Sequence, residues 1–302
     1  MNSNLKRDII IPAWEIIKED SKLKKFYFFP WILSIIFLTV LLVYQSIYTY
    51  VEIFWKKEEA LVIILKFFHS DYLIEVVIAA IIFLIIYITV IPIFEWALIK
   101  YIDSKNKKQE FSTSESIWLW MYRFLPLFEY NNIFSEFKFI AILNAYLFTI
   151  RFVWIEYLSY ISYIFLVIFF FSIIINIIFA YCKYEIVIWD KKPFESIWAS
   201  SKISFLNLKT TIKLYFLMFL LNIRVIINFI IFLSFPILMV LALGLFTTKI
   251  FLAIAVTILS ILFLFCIIIL WYLAGVLDIF KNSIWYFAYI KWKQKVEEIE
   301  KK

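Results

Sequence analysis

Glycine occurs only twice in the 302 residues, as Gly244 and Gly275. That scarcity removes whole classes of site. Phosphate-cradling loops and dinucleotide fingerprints need clustered glycines so that backbone can approach the phosphate, and no cluster exists. No GxxxG string occurs, which excludes close helix crossing by that motif. Histidine occurs once, as His69 in "KFFHSDY". A zinc site draws on several Cys, His or carboxylate ligands, and no Cys/His cluster is present. A Ser–His–Asp relay would have to use His69, and three consecutive residues cannot build that geometry. His69 therefore reads as a surface histidine. Cys182 and Cys266 both lie in apolar runs and read as buried thiols, not as a disulfide framework. These absences point away from enzymes, metals and cofactors.

Apolar residues make up 65% of the chain and aromatic residues 22%. A soluble domain is nearer to about half apolar. The surplus exceeds what an interior can hide, and the remaining solvent for it is lipid. The abundance of Ile, Phe and Lys fits an AT-rich bacterial genome. The formal charge is +7, but the lysines flank apolar runs. That placement implies orientation in a membrane and contact with anionic head groups, not nucleic acid. The polar tail through Lys25 has no cleavage site after the apolar run that follows it, so it reads as a retained anchor.

A membrane crossing needs about 20 apolar residues. Six runs qualify: Phe26 to Tyr48, Ile74 to Leu98, Phe139 to Tyr157, Ser159 to Ile186, a run beginning near Ile212, and Ile250 to Leu277. Backbone groups in hydrocarbon must be satisfied within the segment, so each is expected to be a helix. Residues 139–188 in one helix would reach about 75 Å, so a hairpin near Tyr157 is required. Pro236 is a natural break in the fifth run. Residues 237–248 then form either a half-span or an extension of span five, and both stay open.

Four segments carry six Lys or Arg each: the tail to Lys25, Lys100 to Lys138, Lys183 to Lys213, and the tail from Lys281. The other connections hold Lys56, Lys57, Lys66, Arg151 and Lys249, with Arg224 inside span five. The positive-inside rule then makes both termini cytoplasmic and the number of spans even.

The string "ESIW" occurs at Glu115–Trp118 and again at Glu195–Trp198, each time after a basic loop and before an apolar run. Ser112 and Glu115 have capping-box spacing, and Pro193 suits a first helical turn. Phe194, Ile197, Trp198 and Phe205 share one helical face, with Ser196, Ser200 and Lys202 as polar interruptions elsewhere. That pattern is an amphipathic helix in the head-group layer. "IIIPAWEIIKEDSKLKK" before span one places Ile10, Ala13, Trp14 and Ile17 on one face. "DIFKNSIWYFAYIKWK" follows span six, with "NSIW" at Asn282–Trp285. The expected fold is therefore all-α: one polytopic transmembrane helical bundle over 1–302, with six spans in three hairpins, each preceded by a cytoplasmic interfacial amphipathic helix. The repeat units are 9–101, 113–189 and 193–280, and 281–302 form an amphipathic cytoplasmic tail. Such repeats are parallel, not inverted.

These interfacial "AW…K" and "SIW…K" helices leading into paired spans resemble a loose group of bacterial six-span membrane proteins. That group is similar to the membrane domain of some glycerophosphodiester phosphodiesterases and to the YciC-like inner-membrane proteins. The resemblance covers nearly the whole chain through degenerate motifs and carries over no functional residue. The soluble phosphodiesterase domain is absent, since one histidine cannot supply its chemistry. The resemblance implies an integral inner-membrane protein, a scaffold or accessory subunit in envelope or lipid homeostasis. Its partners would be membrane lipids, with anionic head groups at the cytoplasmic face.

Polar residues inside the apolar runs are the sharpest lead to a site. Arg151 and Arg224 each lie twelve residues into their run, about 18 Å from its start. Asn144 shares a helical face with Arg151, Asn222 precedes Arg224, and Glu156 is placed to pair with Arg151. A central charge costs about 2.5–3.5 kcal/mol on insertion scales, reduced by snorkelling. Two readings stay open: a cavity attracting an anionic solute or lipid head between spans three and five, which favours a transporter or channel, or a set of interhelical ties. Asn176 carries the same ambiguity, and Glu95 and Asp278 read as interfacial.

Overall fold

The computed structural model describes residues 5–20, 57–109, 124–134, 137–150, 152–243 and 249–301, with isolated positions between 23 and 51. Side chains within 225–271 are described only at scattered positions. The first "ESIW" copy and Arg151 lie outside the described residues, as does most of the run Phe26 to Tyr48.

Every element among the described residues is helical. A π-turn at Lys6–Ile10 leads into α1 (Ile11–Glu19). Then come α2 (Lys57–Phe68), α3 (Leu73–Asn106), α4 (Leu125–Phe134) and α5 (Phe139–Thr149). After a 3-10 turn at Ile155–Tyr157 follow α6 (Leu158–Ile178), α7 (Cys182–Trp189), α8 (Pro193–Leu206), α9 (Leu208–Leu243) and α10 (Lys249–Glu300).

The helices have two kinds of surface. α3 has 34 residues and is about 51 Å long. Its first half exposes Ile74, Ile78, Ile81, Ile82 and Ile85, while Trp96, Ala97, Leu98, Ile99 and Ile102 at its foot are buried. α6 exposes Tyr163, Leu166, Phe170, Phe171 and Ile174, and Ser172 is its one buried residue. Water would not tolerate such contiguous apolar faces on a monomer. Leu73–Asn106 and Leu158–Trp189 are long and apolar enough to cross a membrane. A third candidate is the bent pair Pro193–Leu206 and Leu208–Arg224, which meet at 97°.

The second kind of surface forms a packed knot. Ile9, Ala13 and Ile17 of the N-terminal segment join Trp96 to Ile102 of α3, Tyr184 and Val187 of α7, Leu214 of α9 and Ile279 to Tyr289 of α10 in one core. All four lysine-rich segments contribute, the one from Lys100 to Lys138 through Ile102 of α3 and Leu127 of α4. The two ends of the chain touch: Lys291 pairs with Asp8, and the edge of Trp14 meets Phe280 at 5.7 Å between centroids.

Several elements differ from the sequence expectation for identifiable reasons. On α8 the bulky apolar face points outward, with Trp198 77% exposed, as an interfacial helix requires. The serines are the packing face: Ser196, Ser200 and Ser204 are fully buried. Small side chains at i, i+4, i+8 let α8 approach α6 and α7 closely. Asn207 turns the chain into α9; its amide group and its backbone N–H both bond the Ile203 carbonyl at 3.2 Å. On α1, Ala13 and Ile17 are buried with Ile9, whereas Trp14 lies at the surface. α10 runs unbroken for 52 residues, about 78 Å, so residues 281–300 continue the sixth run as a strut through the knot. α5 has 11 residues, about 16 Å, and ends before the expected limit at Tyr157. Beside the 3-10 turn at Ile155–Tyr157, α5 and α6 pack together, with the Tyr146 and Ser162 hydroxyls 3.0 Å apart and the Tyr146 and Phe165 rings 5.3 Å apart.

Candidate polar pocket

The C-terminal end of α6 is the organising point of the knot. A helix end leaves its last carbonyls without intrahelical partners. Here three other helices supply them. The Ser200 hydroxyl of α8 donates to Ile178 O at 2.7 Å, and Tyr130 of α4 donates to Phe179 O at 3.2 Å. Tyr215 of α9 donates to Asn176 O. Ser200 Oγ also accepts the Tyr181 N–H at 3.1 Å, so one hydroxyl bridges the break between α6 and α7. The Asn176 amide reaches back to Phe137 O at 2.7 Å and ties in the start of α5.

Beside this hub lies a cavity of about 200 Å³. Its polar wall is built from Glu95 on α3, Asn131 on α4, Lys138 just before α5, and Lys183 on α7. Phe134, Phe179, Tyr215 and Trp285 form the aromatic wall. Lys183 Nζ donates to Glu95 Oε1 at 2.9 Å and to Asn282 Oδ1 at 2.6 Å. Asn131 Nδ2 donates to Glu95 Oε2 at 3.1 Å. The pair is neutral and bonded on both sides. Lys138 is exposed and adds a second positive charge to the wall.

Three further carboxylates are buried in the knot, and each takes one phenol and at least one lysine. Asp20 accepts from Tyr101 and from Lys105 at 2.9 Å. Asp103 accepts from Tyr286 at 2.8 Å and Lys107 at 2.7 Å. Glu185 accepts from Tyr289 at 3.0 Å and pairs with Lys191 at 2.7 Å and with Lys293. Burial drives the Asp20 carboxyl up, but the bonds from Tyr101, Lys105 and the Leu23 N–H outweigh it, leaving the group below its ordinary value. Burial, reinforced by the neighbouring carboxylate, holds the Tyr286 and Tyr289 phenols well above theirs. Each set joins elements far apart in sequence, so the charges fix the arrangement of the knot.

Of the residues read from sequence as a polar cavity or a set of interhelical ties, four are described. Asn144 on α5, Glu156 in the 3-10 turn, and Asn222 and Arg224 on α9 present exposed side chains. None of the four lines the pocket. Arg151 lies outside the described residues. Glu95, read as interfacial, stands in the pocket wall, while Asp278 pairs with Lys281 at 2.7 Å. His69 is exposed and its Nδ1 lies 2.8 Å from Leu65 O. Cys182 is buried with its Sγ 2.9 Å from Ser196 Oγ. Lys138, Lys183, Tyr130 and Tyr215 were missed by the sequence reading. Lys138 and Lys183 stand near the ends of apolar runs, whereas nothing local marks Tyr130 or Tyr215 as donors to the end of α6. Among the described residues, no group of three or more His, Cys, Asp or Glu is arranged to hold a metal. Comparison of the chain with known protein families, with curated proteins and with solved structures finds no match.

Proposed function

We propose that the chain is a multi-pass protein of the bacterial cytoplasmic membrane with both termini in the cytoplasm. It serves as a scaffold or accessory subunit in envelope or lipid homeostasis, as members of the six-span group it resembles would. In this reading the six apolar runs form three hairpins, and α1, α8 and the end of α10 lie on the cytoplasmic side. The observation that carries it is the meeting of the N-terminal segment and the end of α10 in one packed core. Residues 9–17 packed against residues 279–289 fit one side of a membrane, which supports an even number of crossings between them. The lysine count selects the cytoplasmic side. A scaffold needs a body cross-tied on one face, and the carboxylate–tyrosine–lysine sets, which join elements far apart in sequence, support that reading. Contact of Phe37 with Tyr87, ring centroids 4.5 Å apart, supports the first hairpin, and Tyr146 with Ser162 the second.

The scaffold role is tested by native electrophoresis of membranes solubilised in mild detergent. An accessory subunit migrates with a larger assembly; migration as the free chain alone refutes that role. A second reading, transport of a small anionic solute or a lipid, is favoured by the lysine-bearing pocket. Its test is uptake by vesicles carrying the purified chain, with Arg224→Gln and Lys138→Gln compared. Uptake equal to that of empty vesicles refutes transport.

A further inference from the structure

The pocket has a size, a position and a charge that together specify a class of ligand. Pockets for whole drug-sized ligands occupy roughly 300–1,000 Å³. This one, at about 200 Å³, is smaller and admits a head group or small anion. Its position is the boundary between the two kinds of helix surface. On α6, exposed Phe170, Phe171 and Ile174 immediately precede Ile175 and Asn176 of the lining. On α9, Tyr215 lines the pocket and the following Phe216 and Phe219 are exposed. An occupant therefore has a polar chamber on one side and bare apolar helix on the other.

The charge is one positive in excess. Glu95 pairs with Lys183 at 2.9 Å and also feels the charge of Lys138, which lies beyond ion-pair distance, so among the described residues of the wall two lysines face one carboxylate. The Lys183 ammonium has three donors, and Glu95 and Asn282 use two of them. An incoming anion can take the third without breaking the pair.

The geometry points to a head-group site for a singly charged anionic amphiphile. Its phosphate diester sits between Lys138 and Lys183, and its acyl chains lie along α6 and α9. This rests on the reading that the apolar helices sit in a bilayer. A free phosphate offers the same oxygens but gains nothing from the exposed phenylalanines, so the lipid-borne anion is the better occupant.

The test uses the full-length chain purified in an uncharged detergent. Native mass spectrometry compares added phosphatidylglycerol, phosphatidylcholine and inorganic phosphate. The wild type, Lys138→Arg and the control Lys209→Gln, whose lysine is exposed outside the pocket, are expected to hold one phosphatidylglycerol. Lys138→Gln is expected to bind it about tenfold more weakly, the loss of one charge-assisted contact. Ala180→Trp, which fills the cavity, is expected to abolish the adduct. Lys138→Gln binding as tightly as wild type overturns the site, as does phosphatidylcholine binding as tightly as phosphatidylglycerol. Displacement of the lipid by equimolar inorganic phosphate overturns the amphiphile assignment. Alkaline washing of membranes separates the two claims. A released chain means that the bilayer reading has failed; a retained chain whose lipid binding ignores Lys138 means that only the pocket inference has failed.

Discussion

Replacing Ser200 with alanine removes a single oxygen, yet it should rank among the most damaging small changes in the chain. The hydroxyl is fully buried, donates to Ile178 O at 2.7 Å and accepts from Tyr181 N–H at 3.1 Å. Alanine leaves both backbone groups without that partner in a closed interface, and a buried polar group left unsatisfied costs about 1–3 kcal/mol. The two losses share one site and are not fully additive, so the expected destabilisation is about 2–4 kcal/mol. Trp198 is two residues away but on the outward face. Trp198→Ala should change stability by no more than about 0.5 kcal/mol. Reversible unfolding in detergent measures both, and hydrogen exchange at the Tyr181 amide reports locally, where Ser200→Ala should speed exchange. Equal stabilities for the two variants, or a larger loss for Trp198→Ala, would show that α8 does not pack through its serines.

Glu185→Gln keeps the shape but leaves Lys191 and Lys293 facing each other without a charge between them. Breaking a buried pair costs about 3–5 kcal/mol, and the partial exposure of both lysines lowers the expectation to about 2–3 kcal/mol. The double change Glu185→Gln with Lys293→Met should recover part of that loss in the same melts, and no recovery would refute the pairing. Asp20 sits below its ordinary value of 3.8 in the folded chain. Its contribution to stability is therefore complete above that value and fades as pH falls through the lower folded one. Melting temperatures from pH 6 to about pH 3 should fall less steeply for Asp20→Asn than for wild type; parallel curves refute the assignment. Tyr286→Phe removes a bond to Asp103 and should cost about 1–2 kcal/mol. Ultraviolet titration should show the Tyr286 and Tyr289 phenols still protonated after exposed tyrosines have ionised near pH 10.

The helical class, and the length and apolarity that let α3 and α6 cross a membrane, were legible because contiguous apolar runs of that length have few alternatives. The need for a reversal near Tyr157 was legible from length alone. Which face of a helix packs was harder to read. On α8 hydropathy puts Phe194, Ile197, Trp198 and Phe205 on the apolar face of an interfacial helix; three of them do face outward, Ile197 packs on the core, and the serine stripe is fully buried. In a lipid-exposed protein the bulky apolar side chains go to the solvent, and small polar ones mediate close helix contact. The pocket was illegible for a related reason. Glu95, Lys138 and Lys183 meet only after three helices converge, and nothing in their spacing joins them. Asn144, Asn222 and Arg224 drew attention as polar residues in apolar runs, a local signal that does not report on neighbours in space.

If the proposed topology holds, the lysine-rich segments form one body on the cytoplasmic face. The most direct measurement places a single protease-cleavable tag at either terminus and compares cleavage in right-side-out and inside-out membrane vesicles. Both tags should be cut only in inside-out vesicles. Cleavage of one tag from each side would put the two ends of the knot across the bilayer from each other and would contradict the account.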